Sequence, residues 1–373
     1  MHVTRGRLVS RRVLVGSALA SLAGSLTYPR TLRAATQLKV GFVLSGSLGD
    51  GGRNQRHGAG HDQLLATLGQ QIKTSIIENT PVAEAAEAIR QLISWQAQLI
   101  FMTDPDFAQA TRAFAETYPD IFFEQIGLDW PSFDQLDNVS VFDARLYQGY
   151  YVLGSIAGQL SGNQKIGFVA SKRGARSMNG VNAFALGVAN VSPQSQVIVR
   201  WIGEWQDAKL EAELAQSMIK DGCDVLGQQT GSAAPVEVAM RNHIYCFAMG
   251  YTYQDTVDNP WLVSSLLVRW GDYYIRRTLD VLRRSWSGMF HWYGLKAGLI
   301  EITPYNSVVD GKIINQAEAL RVGLVKGERN VFTGPFFDKK GNLIAGEAST
   351  LSDAALLETG WLNDNIVTEP VES

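Results

Sequence analysis

The chain has 373 residues, long enough for one large two-lobed protein, and its 46% hydrophobic and 18% charged residues suit a packed globule and exclude disorder. A net charge of −3 carries no basic excess for nucleic acid, and five His with two Cys are too few for a Cys/His metal cluster. The 36 glycines follow no collagen period and point to tight turns between strands and helices.

Charge is spread unevenly. Residues 1–35 hold Arg5, Arg7, Arg11, Arg12, Arg30 and Arg33 and no acid, which leaves 27 basic against 36 acidic residues, or −9, for the remainder. Ser10-Arg11-Arg12 precedes an apolar run over 13–26 that is too short for a mature membrane anchor. The expectation is an export signal over 1–35, of twin-arginine or ordinary secretory type, cleaved after Ala34 or Ala35. No Cys follows the run to take a lipid, and no other stretch approaches the length of a membrane span. An exported, soluble protein of the periplasm or another extracytoplasmic space is therefore expected, without a direct membrane anchor.

Strands and helices then alternate. A strand over 38–44 ends in a Ser/Gly-rich loop, followed by a helix over 57–68 and a strand over 74–77. An amphipathic helix over 83–95 puts Ala86, Ile89, Leu92 and Ile93 on one face. A buried strand over 99–102, a helix over 108–118 closed by Pro119 and a strand from Ile121 complete a first set. The second set has helices over 147–160, 181–189, 209–220 and 235–241, with strands over 165–170, 197–201, 225–227 and 245–249. A strand over 262–267 and a helix over 273–284 continue one lobe; a helix over 308–327 and a hairpin over 331–344, turning at Lys340-Gly341-Asn342, form the tail. Repeated β-α units imply parallel sheets covered on both faces. The predicted fold is α/β, two doubly wound lobes joined by a hinge: 36–145 with 255–298, and 146–254 with 299–373.

Ligands of such sheets bind beyond the carboxyl ends of the strands. The nominated loops are 45–54, 103–107, 171–176, 228–232, 250–253 and 268–271. They contain Arg53, Lys172, Arg173, Arg176 and Arg269 against Asp50, Asp104 and Asp106, a cleft more positive than the body. Enzyme signatures are missing: the chain has no GxSxG elbow, no HExxH helix and no GxxxxGK[ST] phosphate loop. Gly46-Ser47-Leu48-Gly49-Asp50-Gly51-Gly52 does not fit a dinucleotide loop. No enzyme activity and no cofactor are expected. Cys223 and Cys246 each sit near the start of a strand; they form a disulfide or remain two small buried apolar groups.

Several segments, in order and spacing, resemble a known family. They include Leu38-Lys39-Val40-Gly41-Phe42-Val43 with Gly49-Asp50, Asn79 with Ala88-Ile89-Arg90-Gln91-Leu92, and Pro119-Asp120-Ile121-Phe122-Phe123-Glu124. Further matches are Arg145-Leu146-Tyr147-Gln148 with Ala157-Gly158, Lys165-Ile166-Gly167-Phe168-Val169-Ala170, Asn182-Ala183-Phe184-Ala185-Leu186-Gly187, Trp270-Gly271-Asp272-Tyr273-Tyr274 and Phe332-Thr333-Gly334-Pro335. Over 37–362 the chain resembles the basic membrane protein (BMP), or purine-nucleoside-receptor-like, family of solute-binding proteins. The resemblance implies a type I periplasmic-binding-protein fold that catches a small-molecule solute and delivers it to an ABC permease and its ATPase. It implies ligands that lean to purine nucleosides and nucleobases.

The chain departs from that family where ligand is expected. Relatives often carry Trp at the position of Arg53, an aromatic and a Glu around Lys172 and Arg176, Asp at Thr252, and Trp-Asn at Val268-Arg269. Stacking surface and acceptors are lost and positive donors gained, which makes an anionic solute a second expectation beside a purine. The candidate ligand-binding residues are Asp50, Arg53, Asn54, Asp104, Phe107, Lys172, Arg176, Gln229, Tyr251, Arg269 and Trp270. Asp50 has a helix-cap alternative, and Arg145 reads as a structural arginine of the hinge. A sensor subunit that feeds a signalling partner is the alternative role.

Overall fold

A computed structural model describes residues 37–250 and 259–368; the expected export signal and Tyr251 lie outside them. The chain opens with β1 (Leu38–Val43), α1 (Arg53–Leu68), β2 (Ile72–Ile77), α2 (Ala85–Ser94), β3 (Leu99–Met102), α3 (Ala108–Thr117), β4 (Phe122–Ile126) and β5 (Val139–Ala144). It continues through α4 (Leu146–Leu160), β6 (Lys165–Ala170), α5 (Ala175–Val191), β7 (Gln196–Trp201), α6 (Ala208–Lys220), β8 (Val225–Gln229), α7 (Ala234–Arg241), β9 (Tyr245–Met249) and β10 (Leu262–Val268). The remainder is α8 (Trp270–Leu282), β11 (Phe290–Tyr293), β12 (Ile300–Ile302), α9 (Gly311–Lys326), β13 (Phe336–Phe337), β14 (Leu343–Ala345), α10 (Asp353–Leu357) and β15 (Ile366–Thr368).

Two large sheets result. The first has the order β11-β5-β4-β3-β1-β2 and is parallel throughout. The second has the order β12-β10-β9-β8-β6-β7-β15, parallel except for β12. β3, Leu99-Ile100-Phe101-Met102, is buried at every position, as expected of a parallel strand covered on both faces. β5 is also buried throughout, although it contains Ser140 and Asp143. Both polar groups are satisfied: Arg277 Nη2 donates to Ser140 Oγ at 2.8 Å, and Asp143 accepts from Arg176.

One expected boundary is corrected. β10, assigned from sequence to the first lobe with 255–298, lies in the second sheet between β9 and β12. Leu262 pairs with Cys246 and Leu266 with Met249, so β10 simply extends the sheet that β9 belongs to. The return to the first lobe comes only at α8, which packs on α1. A buried anchor holds it there: Glu124 of β4 accepts from Arg277 Nε at 2.6 Å, Tyr273 Oη at 2.5 Å and Trp286 Nε1 at 2.7 Å. The chain thus crosses between sheets at 144–146, 268–270 and 293–300. At the first crossing Arg145 donates to the carbonyl of Trp292 at 2.8 Å and holds Asp353 through both terminal nitrogens at 2.6 and 2.5 Å, the structural role read from sequence.

Cys223 and Cys246 are buried free thiols in the core of the second lobe. Burial pushes the Cys223 thiol up to about 11 and the Cys246 thiol higher. Of the two readings open from sequence, the structure holds the buried apolar one.

Candidate ligand-binding cleft

The first-lobe wall is built by the loops after β1 and β3. Asp50 Oδ1 accepts from the amides of Gly52 at 2.9 Å and Gln55 at 3.0 Å; Oδ2 accepts from the Asn54 amide at 3.0 Å and side chain at 2.8 Å. Asp50 is therefore a cap on α1, with its charge at the positive end of the helix dipole. Arg53 opens α1 and is 9% exposed. Its Nη2 donates to Ser45 Oγ and to Asp104 Oδ2, both at 2.7 Å. Burial works to raise the Asp104 carboxyl, but Arg53 and the donors Ser45 and Asp106 N–H outweigh it and hold the group below 3.8. Arg53 Nε and Nη1 and Asn54 Oδ1 are buried and find no partner among the described residues.

The second-lobe wall comes from the loops after β6 and β7. Lys172 Nζ and Trp205 Nε1 both donate to Asp106 Oδ2 at 3.0 Å, bridging the lobes. Arg176 Nε and Nη2 donate to the two oxygens of Asp143 at 2.7 and 3.1 Å, and its guanidinium lies 5.6 Å from the Trp205 ring. The lobes also meet through backbone. The Arg53 amide donates to the Gly231 carbonyl at 3.3 Å, and a Cβ on Gly52 would collide with that carbonyl oxygen. Gly250, at φ +88°, turns the chain against Gly52 from the other side, a conformation that favours glycine.

Between these walls lie two spaces. An outer cleft of about 540 Å³ is lined by Ser45, Asp50, Asp104 and Asp106 on one side and by Trp205 and Gln206 on the other. An inner cavity of about 40 Å³ is lined by His57 and Trp270 of the first lobe and Arg176, Met249 and Leu266 of the second. Arg53 lines both. His57 stacks on Trp270 at 5.2 Å with planes 9° apart, and its Nδ1 sits 2.5 Å from Tyr274 Oη. Burial, then the charges of Arg53 and Arg176, push His57 well below 6.5, so the ring is neutral at physiological pH.

The other expected residues divide. Asp104, Lys172, Arg176 and Trp270 face the cleft region, and Gln229 backs it, with Nε2 donating to the Arg176 carbonyl at 3.4 Å. Phe107 does not reach it: it is fully buried in the first-lobe core with Ile89, Met102 and Phe123. Arg269 does not reach it either. It is 51% exposed, paired with Glu301 at 3.2 Å and Asp272 at 3.7 Å, because the chain leaves β10 beside the antiparallel edge strand β12. Trp205 escaped the sequence reading, which took loops after six strands and passed over the one after β7. The signal was available in Glu204-Trp205-Gln206-Asp207, four residues of which two are acidic and one aromatic, just beyond a strand end.

The expected positive excess is also corrected. Arg53, Lys172 and Arg176 each face a carboxylate, from Asp104, Asp106 and Asp143 respectively. Arg173 is exposed and lies over Trp201, while Glu204 and Asp207 add acid at the outer cleft.

Comparison with known proteins agrees with this architecture. The profile of the Bmp family, described as ABC transporter substrate-binding protein PnrA-like, matches residues 37–328. The chain belongs to the Bmp family. A purine-binding protein of Brucella abortus (strain 2308) is 33% identical over 319 residues, 84% of this chain and 89% of that protein. Solved ABC transporter solute-binding proteins of Conexibacter woesei DSM 14684 and Aeropyrum pernix K1 share the fold. They are 19% and 17% identical, cover 79% and 78% of this chain and 98% and 92% of their own, and give TM-scores of 0.64 and 0.67. The fold is thus the type I periplasmic-binding-protein fold, and Bmp-family proteins are substrate-binding components of ABC transporters rather than enzymes. Among the described residues of this Bmp-family chain, no helix is long and apolar enough to cross a membrane.

Proposed function

We propose that this chain captures a neutral solute of the purine class, a nucleobase or nucleoside, between its lobes and presents it to an ABC permease and its ATPase outside the cytoplasm. One observation carries the choice of a neutral ligand over an anion: Arg53, Lys172 and Arg176, the three cations of the two cleft walls, each have a carboxylate partner. Burying an anion beside Asp104, Asp106 and Glu204 would meet like charge, while Arg53, Lys172 and Arg176 are already balanced. Those carboxylates suit ligand N–H and hydroxyl donors instead. The face of Trp205 suits a flat heterocycle, since aromatic–base stacking is worth about 1–3 kcal/mol. The named ligand of the Brucella abortus relative supports the same class. Export by the segment over 1–35 belongs to this reading, because a substrate-binding component works on the outer side of its permease.

Isothermal titration of the purified protein with adenine, hypoxanthine, guanosine, glucose and succinate tests it. Saturable binding is expected for at least one of the purines, with no heat from glucose or succinate. Binding of succinate without any purine overturns the proposal.

A further inference from the structure

We infer that Glu211 is a positioning residue for ligand: it ties together the two second-lobe loops that hold Trp205 at the cleft, so that the ring stands ready for a solute. The inference rests on the binding reading above for its ligand, though not for its loop geometry. Glu211 lies on α6 and is fully buried. No cation pairs with it among the described residues; its partners are three uncharged donors. Burying a carboxylate without a counter-ion is costly, and an apolar side chain would fill a merely structural position at less cost.

Helix capping accounts for one of its two oxygens. Oε1 accepts from the amide of Asp207, the residue that caps α6, at 2.9 Å. Oε2 reaches out of the helix to Thr230 Oγ1 at 2.8 Å and Ser232 Oγ at 2.5 Å, in the loop after β8. The single hydrogen of Thr230 goes to this charged oxygen rather than to Gln228 Oε1, also at 2.8 Å, because a bond to a charged acceptor is the stronger. Thr230 and Ser232 flank Gly231. The Gly231 amide donates to the Trp205 carbonyl at 3.0 Å, and its carbonyl accepts from the Arg53 amide of the first lobe at 3.3 Å. One carboxylate thus fixes the loops over 204–207 and 230–232 to each other, and Trp205 stands on the joint. The far end of its ring is held across the cleft, where Nε1 donates to Asp106 Oδ2 at 3.0 Å. A wall preformed in this way spares the ligand the cost of ordering a loop.

The test compares wild type, Glu211→Leu and Glu211→Gln, each also in a Trp205→Ala background. Gln can rescue: its oxygen accepts from the Asp207 amide and its two N–H groups reach the hydroxyls. The probe is the tightest binder among adenine, hypoxanthine and guanosine, titrated calorimetrically into protein shown to be folded by circular dichroism. E211L should bind it at least about tenfold more weakly than wild type, and E211Q within about threefold of wild type. In the Trp205→Ala background the loss from E211L should shrink to within about threefold, since residues that act through each other are not additive. Hydrogen exchange on the unliganded protein gives a second reading: in E211L the amides of Asp207 and Gly231 should speed up at least about tenfold more than those of β6. Wild-type affinity in E211L, an equal loss in both backgrounds, or exchange that rises uniformly or not at all overturns the inference. If no purine binds wild type, the purine reading falls and the exchange measurement decides alone. If E211L does not fold, the pair Thr230→Val and Ser232→Ala, which leaves the cap on Oε1 intact, takes its place with the same expectations.

Discussion

His57 couples the cleft to pH. Its folded value lies well below 6.5, first because it is buried and then because Arg53 and Arg176 face it. Protonation therefore favours the unfolded chain. The stability is fully present above pH 6.5 and is lost as pH falls below it, by up to about 1.4 kcal/mol per pH unit while the folded ring stays neutral. His291, lowered to about 4 by burial and by Arg277 and Arg276, acts in the same direction, as does His61, lowered chiefly by burial. Asp104 has the opposite chemistry and a lower window: its paired carboxylate keeps its contribution until pH falls below 3.8. The melting temperature should thus decline from pH 7 to pH 5, and His57→Gln should flatten part of that decline. A slope identical in the two proteins, measured by thermal unfolding across that range, would refute the assignment. Residue chemistry at the cleft was half legible. The string of strand-end loops pointed to Arg53, Lys172 and Arg176, but their carboxylate partners come from segments 33 to 66 positions away. Sequence lists charges; it does not say which ones neutralise each other.

The helices α4 and α5 show how an element depends on a missing side chain. A Cβ on Gly154 would collide with the carbonyl oxygen of Phe184, and one on Gly187 with the carbonyl oxygen of Tyr151. Two glycines, one on each helix, let the backbones approach, and α5 then covers β6 with Phe184 against Phe168 at 4.9 Å. Gly154→Ala should cost about 1–3 kcal/mol by overpacking, despite the better helix propensity of Ala. Urea unfolding checks the sign: a stabilised variant would mean that propensity outweighs the contact. The apolar runs of β1, β3, β6 and β9 were readable because their hydrophobic content is continuous. β5 was passed over, since its Ser140 and Asp143 look like surface residues until Arg277 and Arg176 are seen to satisfy them. The short strands β11, β12 and β15, of four, three and three residues, have too little pattern to read and exist because a neighbouring edge pairs with them.

At the scale of the molecule, two lobes connected by three chain crossings are expected to close on a solute if the proposed function holds. Gly52 meets Gly231 and Gly250 with no room for a Cβ, and the proposed capture of a solute makes this the backbone contact expected to limit closure. Gly52→Ala should hold the lobes apart. With the purine that binds wild type at saturation, small-angle scattering should show a larger radius of gyration for the variant than for wild type, and titration should show at least about tenfold weaker binding, the scale of one lost charged hydrogen bond or more. Equal radii and equal affinities would remove Gly52 from the closing contact.

The alternation of apolar runs with amphipathic helices, the Gly-rich turns and the order of the family segments were determined by local sequence, because helix and strand periods are short-range properties. They settled the α/β class and the family. Tertiary structure alone decided that β10 stays with the second sheet, that Arg269 faces Glu301 on the surface, that Trp205 enters the cleft beside Asp106 and that Arg53 pairs with Asp104. Each of those facts is a pairing between residues distant along the chain, fixed by which strand lies beside which and by which charges the fold buries together.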